Sequence, residues 1–240
     1  MSQLLVIVAC RWMVYLLLLL AFGMTHCSSF GADPSEVVQE GSFESYVHHL
    51  TPLSNVIFVA FDTETTGLSP TKDRIVELGA VKFGSGKVLE TKSWLIQPGR
   101  DIPYKAIEIH GIDNDMVKDE PSFKEIYPSF RQFIDGTVLI AHNARFDIAF
   151  MKEELMRNDL KPPPSVVIDS LSLFRNWFPE SQSHSLEGLS TYFNINPGAL
   201  HRALADSWLI FRILSKGLDT RDGVHTLGDL QESATPSITF

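Results

Sequence analysis

Asp62 and Glu64 stand two residues apart at the end of an apolar run, in the stretch NVIFVAFDTETTGL. Alternate side chains of a strand point to one face, so the two carboxylates project the same way. They repel each other and resist burial unless something positive lies between them. A divalent cation meets that need if the rest of the chain supplies more ligands. Two further acids qualify. Asp147 falls near the first turn of a helix expected over 144–157, where the helix dipole favours an anion. Asn143 is expected to cap that helix, and Ala144, Phe150 and Met151 on the same face are apolar. Taken alone, Asp147 better fits a surface position that stabilises the dipole. In HRALADSWLIFRILSK (201–216), Asp206 shares a helical face with Ala203, Ile210 and Ile213. A carboxylate inside an apolar stripe is costly unless it is paired or bound to metal. His201 is five residues earlier, roughly 140° around a helix. It converges with Asp206 only if it precedes the helix, which the loop-forming NPGAL (196–200) allows.

Four carboxylates and no cysteine beyond Cys27 make an oxygen ligand set. Such a set suits two hard cations, Mg²⁺ or Mn²⁺, rather than zinc. Two such ions stabilise the attacking and leaving oxygens of an in-line phosphoryl displacement, and a nearby histidine can take a proton from the attacking water. The pattern points to hydrolysis of a phosphodiester.

The elements that must position these residues follow from the apolar pattern. Strands are expected at 56–63, 75–83 and 88–96, with GSGK (84–87) as a hairpin turn. GSGK is not a phosphate loop, because the rest of that pattern and the helix after it are missing. A helix-prone stretch (103–134), a strand (137–141), the helix at 144–157, a strand (165–169) and helices at about 185–193 and 203–216 complete the order. That order implies a mixed sheet flanked by helices. The chain has 240 residues, 44% of them hydrophobic, and a formal charge of -9, which suits one α/β domain with appendages. The charge excludes a broad basic nucleic-acid binder but not an enzyme that grips a few nucleotides. Residues 55–217 are expected to form the domain, 33–54 a linker and 218–240 a polar, loosely ordered tail. Residues 1–32 carry an apolar run (4–23) broken by Arg11. It reads as a signal peptide, as an anchor making membrane contact through 4–23, or as a misassigned start with Met24 as initiator. Localisation is exported or anchored in the first two cases and cytoplasmic in the third.

FDTETTGL (61–68), HNARFD (142–147) and HRALAD (201–206) resemble, in order and spacing, the three motifs of the DEDD-type 3′–5′ exonucleases. The H-x4-D pattern places the resemblance in the DEDDh branch, near the proofreading epsilon subunits of bacterial DNA polymerase III and their stand-alone relatives. HGI (110–112) matches that group's substrate loop, and FMKEEL (150–155) continues the second motif. The resemblance covers about residues 55–217. It implies an RNase H-like α/β fold with a mixed five-stranded sheet flanked by helices. It also implies that Asp62, Glu64 and Asp206 bind the metal that activates water, that Asp62 bridges to a second metal held by Asp147, and that His201 is the general base. The partner implied is a nucleic-acid 3′ end, single-stranded DNA above all, with release of nucleoside 5′-monophosphates. Thr66, Gly67 and Leu68 would line the pocket of the terminal nucleotide, and His110 and Ile112 would flank it. His142, Asn143 and Phe146 belong to the second motif, with cap and core roles open for the last two. The tail offers no counterpart to the segment by which epsilon subunits bind their polymerase. An RNA 3′-end exonuclease and an exported DNA scavenger share the same active site. A non-catalytic binding module would be marked by loss of an acid or of His201, and none is missing.

Overall fold

The apolar run before Asp62 forms β1 (Ile57–Thr65), and the computed structural model describes the chain around it over residues 49–198, 200–234 and 238–240. The segment 1–32 and residues 33–48 of the expected linker lie outside the described residues. Among the described residues no helix is long and apolar enough to cross a membrane.

Five more strands join β1: β2 (Ile75–Gly84), β3 (Lys87–Leu95), β4 (Val138–Ala141), β5 (Val166–Asp169) and β6 (Ile238–Thr239). They form one six-stranded sheet of order β3-β2-β1-β4-β5-β6. β1, β4 and β5 are parallel, while β2, β3 and β6 pair antiparallel with their neighbours. The GSGK turn is the expected hairpin: Ser85 and Gly86 both have positive φ (49° and 70°), which matches the twist of the strands it joins.

The helices are α1 (Tyr104–His110), α2 (Asn114–Val117), α3 (Phe123–Phe133), α4 (Arg145–Arg157), α5 (Ser170–Trp177), α6 (Leu186–Tyr192), α7 (Ala203–Thr220) and α8 (Leu227–Ser233). The helix-prone stretch 103–134 is three helices because Gly111 ends α1 at φ 71°, Asp113 caps α2 and a Ser122–Glu125 capping box starts α3. Both faces of the sheet are buried. Phe58 and Ala60 of β1 pack with α5, α6 and α7, whereas Val59 and Phe61 pack with α3 and α4.

Two expectations need correction. The sheet has six strands, not five, and the tail is built into the fold. A capping box at Thr226 and Asp229 starts α8, which buries Leu227 and Leu230, and the chain then returns to add β6 beside β5.

The packing of α7 on β2 depends on Gly79. A Cβ there would meet the backbone nitrogen of Leu204 at 2.1 Å and the carbonyl carbon of Ala203 at 2.2 Å. Neither backbone atom can rotate away, so α7 itself would have to move. Gly79→Ala is expected to destabilise the fold by about 3 kcal/mol, read as a lowered midpoint of urea unfolding with an unchanged slope.

Candidate active site

Residue parity along β1 decides where each acid points. Even-numbered Phe58 and Ala60 face α7, and Asp62 and Glu64 continue that face. The strand runs beyond its pairing with β4, which covers Phe58, Val59 and Ala60, so both acids stand past the carboxyl end of β4. That is where open α/β sheets place their ligands. The first turn of α7 brings Asp206 to the same face. Carboxylate oxygens of Asp62, Glu64 and Asp206 all lie within 4.8 Å of one another.

The odd face of β1 looks toward α4. Thr63 there donates to Asp147 Oδ1 from its backbone N–H (3.0 Å) and its hydroxyl (2.7 Å). Asp147 is only 2% exposed, so it is not a surface residue serving the dipole. Its charge acts on Asp62 ahead of those of Asp206 and Glu64. Asn143 does not cap α4. It turns the chain at φ 60°, and Asp169 at the end of β5 accepts from Ala144 N (3.2 Å) in its place. Asp169 also caps α5 through Leu171 N (3.1 Å).

Burial pushes all four acids upward, and neighbouring carboxylates add to it: the other site acids and Glu77 for Asp62 and Glu64, Asp169 for Asp147 and Glu77 for Asp206. Asp62 is held well above the usual carboxylate range by burial first, then by the charges of Asp147, Asp206, Glu64 and Glu77. Burial and the charges of Asp206, Glu77 and Asp147 push Glu64 up to about 8, against the pull of Arg202. Asp147 is raised to about 7 by burial, against the Thr63 hydrogen bonds. Asp206 is raised to about 6 by burial, against the charge and backbone N–H of His201. Asp206 Oδ1 is buried without a hydrogen-bond partner. An orphaned carboxylate oxygen among crowded acids fits a hard divalent cation, which would satisfy it and remove the repulsion.

His201 lies before α7, as its convergence with Asp206 requires. Arg202 is the N-cap residue with extended backbone, and His201 is exposed with φ 59°. A left-handed histidine is a strained conformation of the kind that clusters at functional sites.

The expected substrate residues separate into contact and support. Leu68 is 83% exposed and free to touch a ligand. Gly67 lies close to Asp73: a Cβ there would meet its carboxylate at 2.5 Å, so that side chain would have to give way. Thr66 is buried and closes the loop: its hydroxyl donates to Asp73 (3.3 Å) and accepts from Arg74 N (3.1 Å). Ile112 is fully buried in a small core with Val76, Ile102, Ala106 and Val117, so it cannot flank a nucleotide directly. Its N–H donates to His110 Nδ1 at 3.0 Å. The His110 proton therefore sits on Nε2, which is buried and unpartnered. His142 is turned toward α5, with Nδ1 3.0 Å from Ser170 Oγ and its ring 6.0 Å from that of Phe174. Phe146 packs on Phe150 at 4.9 Å, a core role.

Glu77 is the site residue that sequence reasoning missed. It stands opposite Glu64 in the β1–β2 register, 1% exposed, and holds Arg202. Its signal was the one that exposed Asp206: a carboxylate inside an apolar run, here IVELGAVKF.

The exonuclease family model (RNase T) matches residues 59–214, a span that contains all three motifs. The chain belongs to this exonuclease family. It is an enzyme of the 3′–5′ exonuclease class with an RNase H-like fold. The DNA polymerase III epsilon subunit of Treponema pallidum is 41% identical over 155 residues, covering 64% of this chain and 72% of that protein. The PolC-type DNA polymerase III of Caldanaerobacter subterraneus subsp. tengcongensis is 37% identical over 162 residues, which is 68% of this chain but 12% of that protein. The chain thus spans about an eighth of the PolC-type relatives. Among solved structures, exonuclease X in complex with 5′ overhanging duplex DNA superposes with a TM-score of 0.56 at 30% identity, covering 68% of this chain and 92% of the other. E. coli exonuclease I in complex with a dT13 oligonucleotide superposes with a TM-score of 0.62 at 21% identity, covering 69% and 41%, and supports the fold alone.

Proposed function

We propose that this exonuclease shortens DNA from its 3′ end, hydrolysing the terminal phosphodiester and releasing nucleoside 5′-monophosphates. The observation that carries the proposal is the trio Asp62, Glu64 and Asp206 within 4.8 Å, with Oδ1 of Asp206 orphaned and His201 exposed at the start of the same helix. DNA is favoured over RNA by the similarity to an epsilon subunit and to an exonuclease bound to overhanging duplex DNA.

Asp62, Glu64 and Asp206 would hold one divalent cation, and Asp62 and Asp147 a second. When bound, such cations supply Lewis-acid polarisation of the phosphate and acidify water. The chain's own residues do the rest. His201 takes the proton of the attacking water, and its exposure lets that proton pass on to solvent. Asp206 accepts the backbone N–H of His201 and so ties the base to the acidic cluster. Thr63 fixes Asp147 through two hydrogen bonds. The loop closed by Thr66 and Asp73 presents Leu68 to the terminal base.

Two substrates test the proposal. A linear single strand with a free 3′-hydroxyl should be shortened in single-nucleotide steps, and a closed single-stranded circle should stay intact, because the chemistry acts at the last phosphate. Cutting of the circle at a comparable rate would overturn it. An RNA strand of the same sequence should be degraded more slowly, and faster loss of the RNA would favour the RNA 3′-end alternative.

A further inference from the structure

We infer, building on the roles proposed for His201 and Asp206, that Arg202 and Glu77 form a positioning clamp that sets both residues against the acids of β1. Arg202 joins the strained His201 to the first turn of α7. Its guanidinium grips Glu77 in two places, Nε to Oε2 at 3.0 Å and Nη2 to Oε1 at 2.9 Å. Glu77 also accepts from Ala203 N at 3.0 Å, which closes an open N–H of the helix start, and from Ser93 Oγ at 2.8 Å. Four hydrogen bonds thus converge on one buried carboxylate, in the fork geometry that an ammonium group cannot reproduce.

The location makes this more than an anchor for a helix. Glu77 is the register partner of Glu64, so the clamp ties the start of α7 to the strand position beside the acidic cluster. Gly79 and Ser207 complete the seat: α7 backbone lies against Gly79, and the Ser207 hydroxyl donates to Gly79 O at 3.0 Å. Those two contacts hold the helix body. The Arg202 side chain holds the position next to His201, where the backbone passes from φ 59° at His201 to -132° at Arg202. Without the fork, the left-handed turn keeps only backbone bonds on its helix side, and the ring of His201 loses part of its fixed relation to Asp206. The Arg202 side chain is 37% exposed, so the clamp can be probed without opening the core.

The experiment compares wild type, Arg202→Ala, Arg202→Lys and Glu77→Gln on a single-stranded oligonucleotide with Mg²⁺. Arg202→Ala is expected to lower kcat by about 100-fold, the scale of a misplacement of about 1 Å. KM should stay within about threefold, because the contacts to the strand are untouched. Arg202→Lys should recover little of the loss. Millimolar guanidinium should restore part of the activity of Arg202→Ala and none of that of His201→Ala. Two measurements do not depend on turnover. In metal-free protein, the ring resonance of His201, assigned by its loss in His201→Ala, should shift in Arg202→Ala while the circular dichroism stays native. The rise in melting temperature on adding Mg²⁺ should shrink. If Arg202→Ala does not fold, Glu77→Gln carries the same comparisons, since it keeps the shape but removes the charge and replaces one doubly accepting oxygen by an amide nitrogen that cannot accept. A folded variant with wild-type kcat and an unmoved His201 resonance overturns the clamp. A wild type with no exonuclease activity overturns the proposed function instead, and the resonance shift then still decides the clamp.

Discussion

Asp206→Asn is expected to abolish exonuclease activity and yet raise the melting temperature of the metal-free protein. The sign follows from the raised acids. Glu64 stands at about 8, Asp147 at about 7 and Asp206 at about 6 in the folded protein, against roughly 4 for an unfolded carboxylate. Between those limits the folded state binds more protons than the unfolded one, so stability falls as pH rises through the window. The penalty is then present in full above the folded values. Glu77 works in the opposite sense. Its hydrogen bonds hold it below the usual value, so its contribution is present at neutral pH and is lost only as pH falls through the folded value. The metal-free wild type should therefore melt higher near pH 5 than near pH 8, and Asp206→Asn should flatten that slope. The asparagine keeps the shape and can still accept the His201 N–H, while removing one of the crowded charges. Mg²⁺ should stabilise the wild type by mass action and the variant much less. Four melts near pH 7.5, of wild type and variant in EDTA or Mg²⁺, check this. A variant that melts lower than wild type in EDTA would show that Asp206 makes a structural bond, and its assignment as a metal ligand would lose its physical support.

His201→Ala is expected to lose about 10²–10⁴-fold in kcat, the usual contribution of a positioned general base. Its cost in stability should be small, within about 0.5 kcal/mol, because the side chain is exposed. The rise in melting temperature with Mg²⁺ should survive, since the carboxylates are intact. Loss of the Mg²⁺ effect along with activity would make His201 a ligand or a structural residue.

The acids were legible for a physical reason. A carboxylate at the end of a buried strand or within an apolar helical stripe has few explanations, so Asp62, Glu64 and Asp206 stood out one by one. Asp147 was ambiguous because helix starts favour acids anyway, and only its bonds to Thr63 across the strand decide the matter. Partnerships between distant parts of the chain were not legible. Asp169, 25 residues after Ala144, accepts at the start of α4 in place of Asn143, and Glu77 meets Arg202 across 125 residues. A motif resemblance also cannot separate a contact from its support, which is why Ile112 was expected at the nucleotide and is found in the core. α5 was hidden because Asp169 ends β5 and caps the next helix with no turn between them. The tail read as loose because α8 buries only Leu227, Gly228 and Leu230, and a two-residue strand such as β6 has no periodicity to detect.

The most direct measurement uses a single-stranded DNA whose last nucleotide is radiolabelled on its 5′ side and carries a free 3′-hydroxyl. With Mg²⁺ the label should leave first, as a nucleoside 5′-monophosphate, and it should stay in the strand in EDTA or with Asp62→Asn. Label that persists in an oligonucleotide while the strand is cut elsewhere, or that is released in EDTA at the same rate, would contradict a cation-dependent exonuclease acting from the 3′ end.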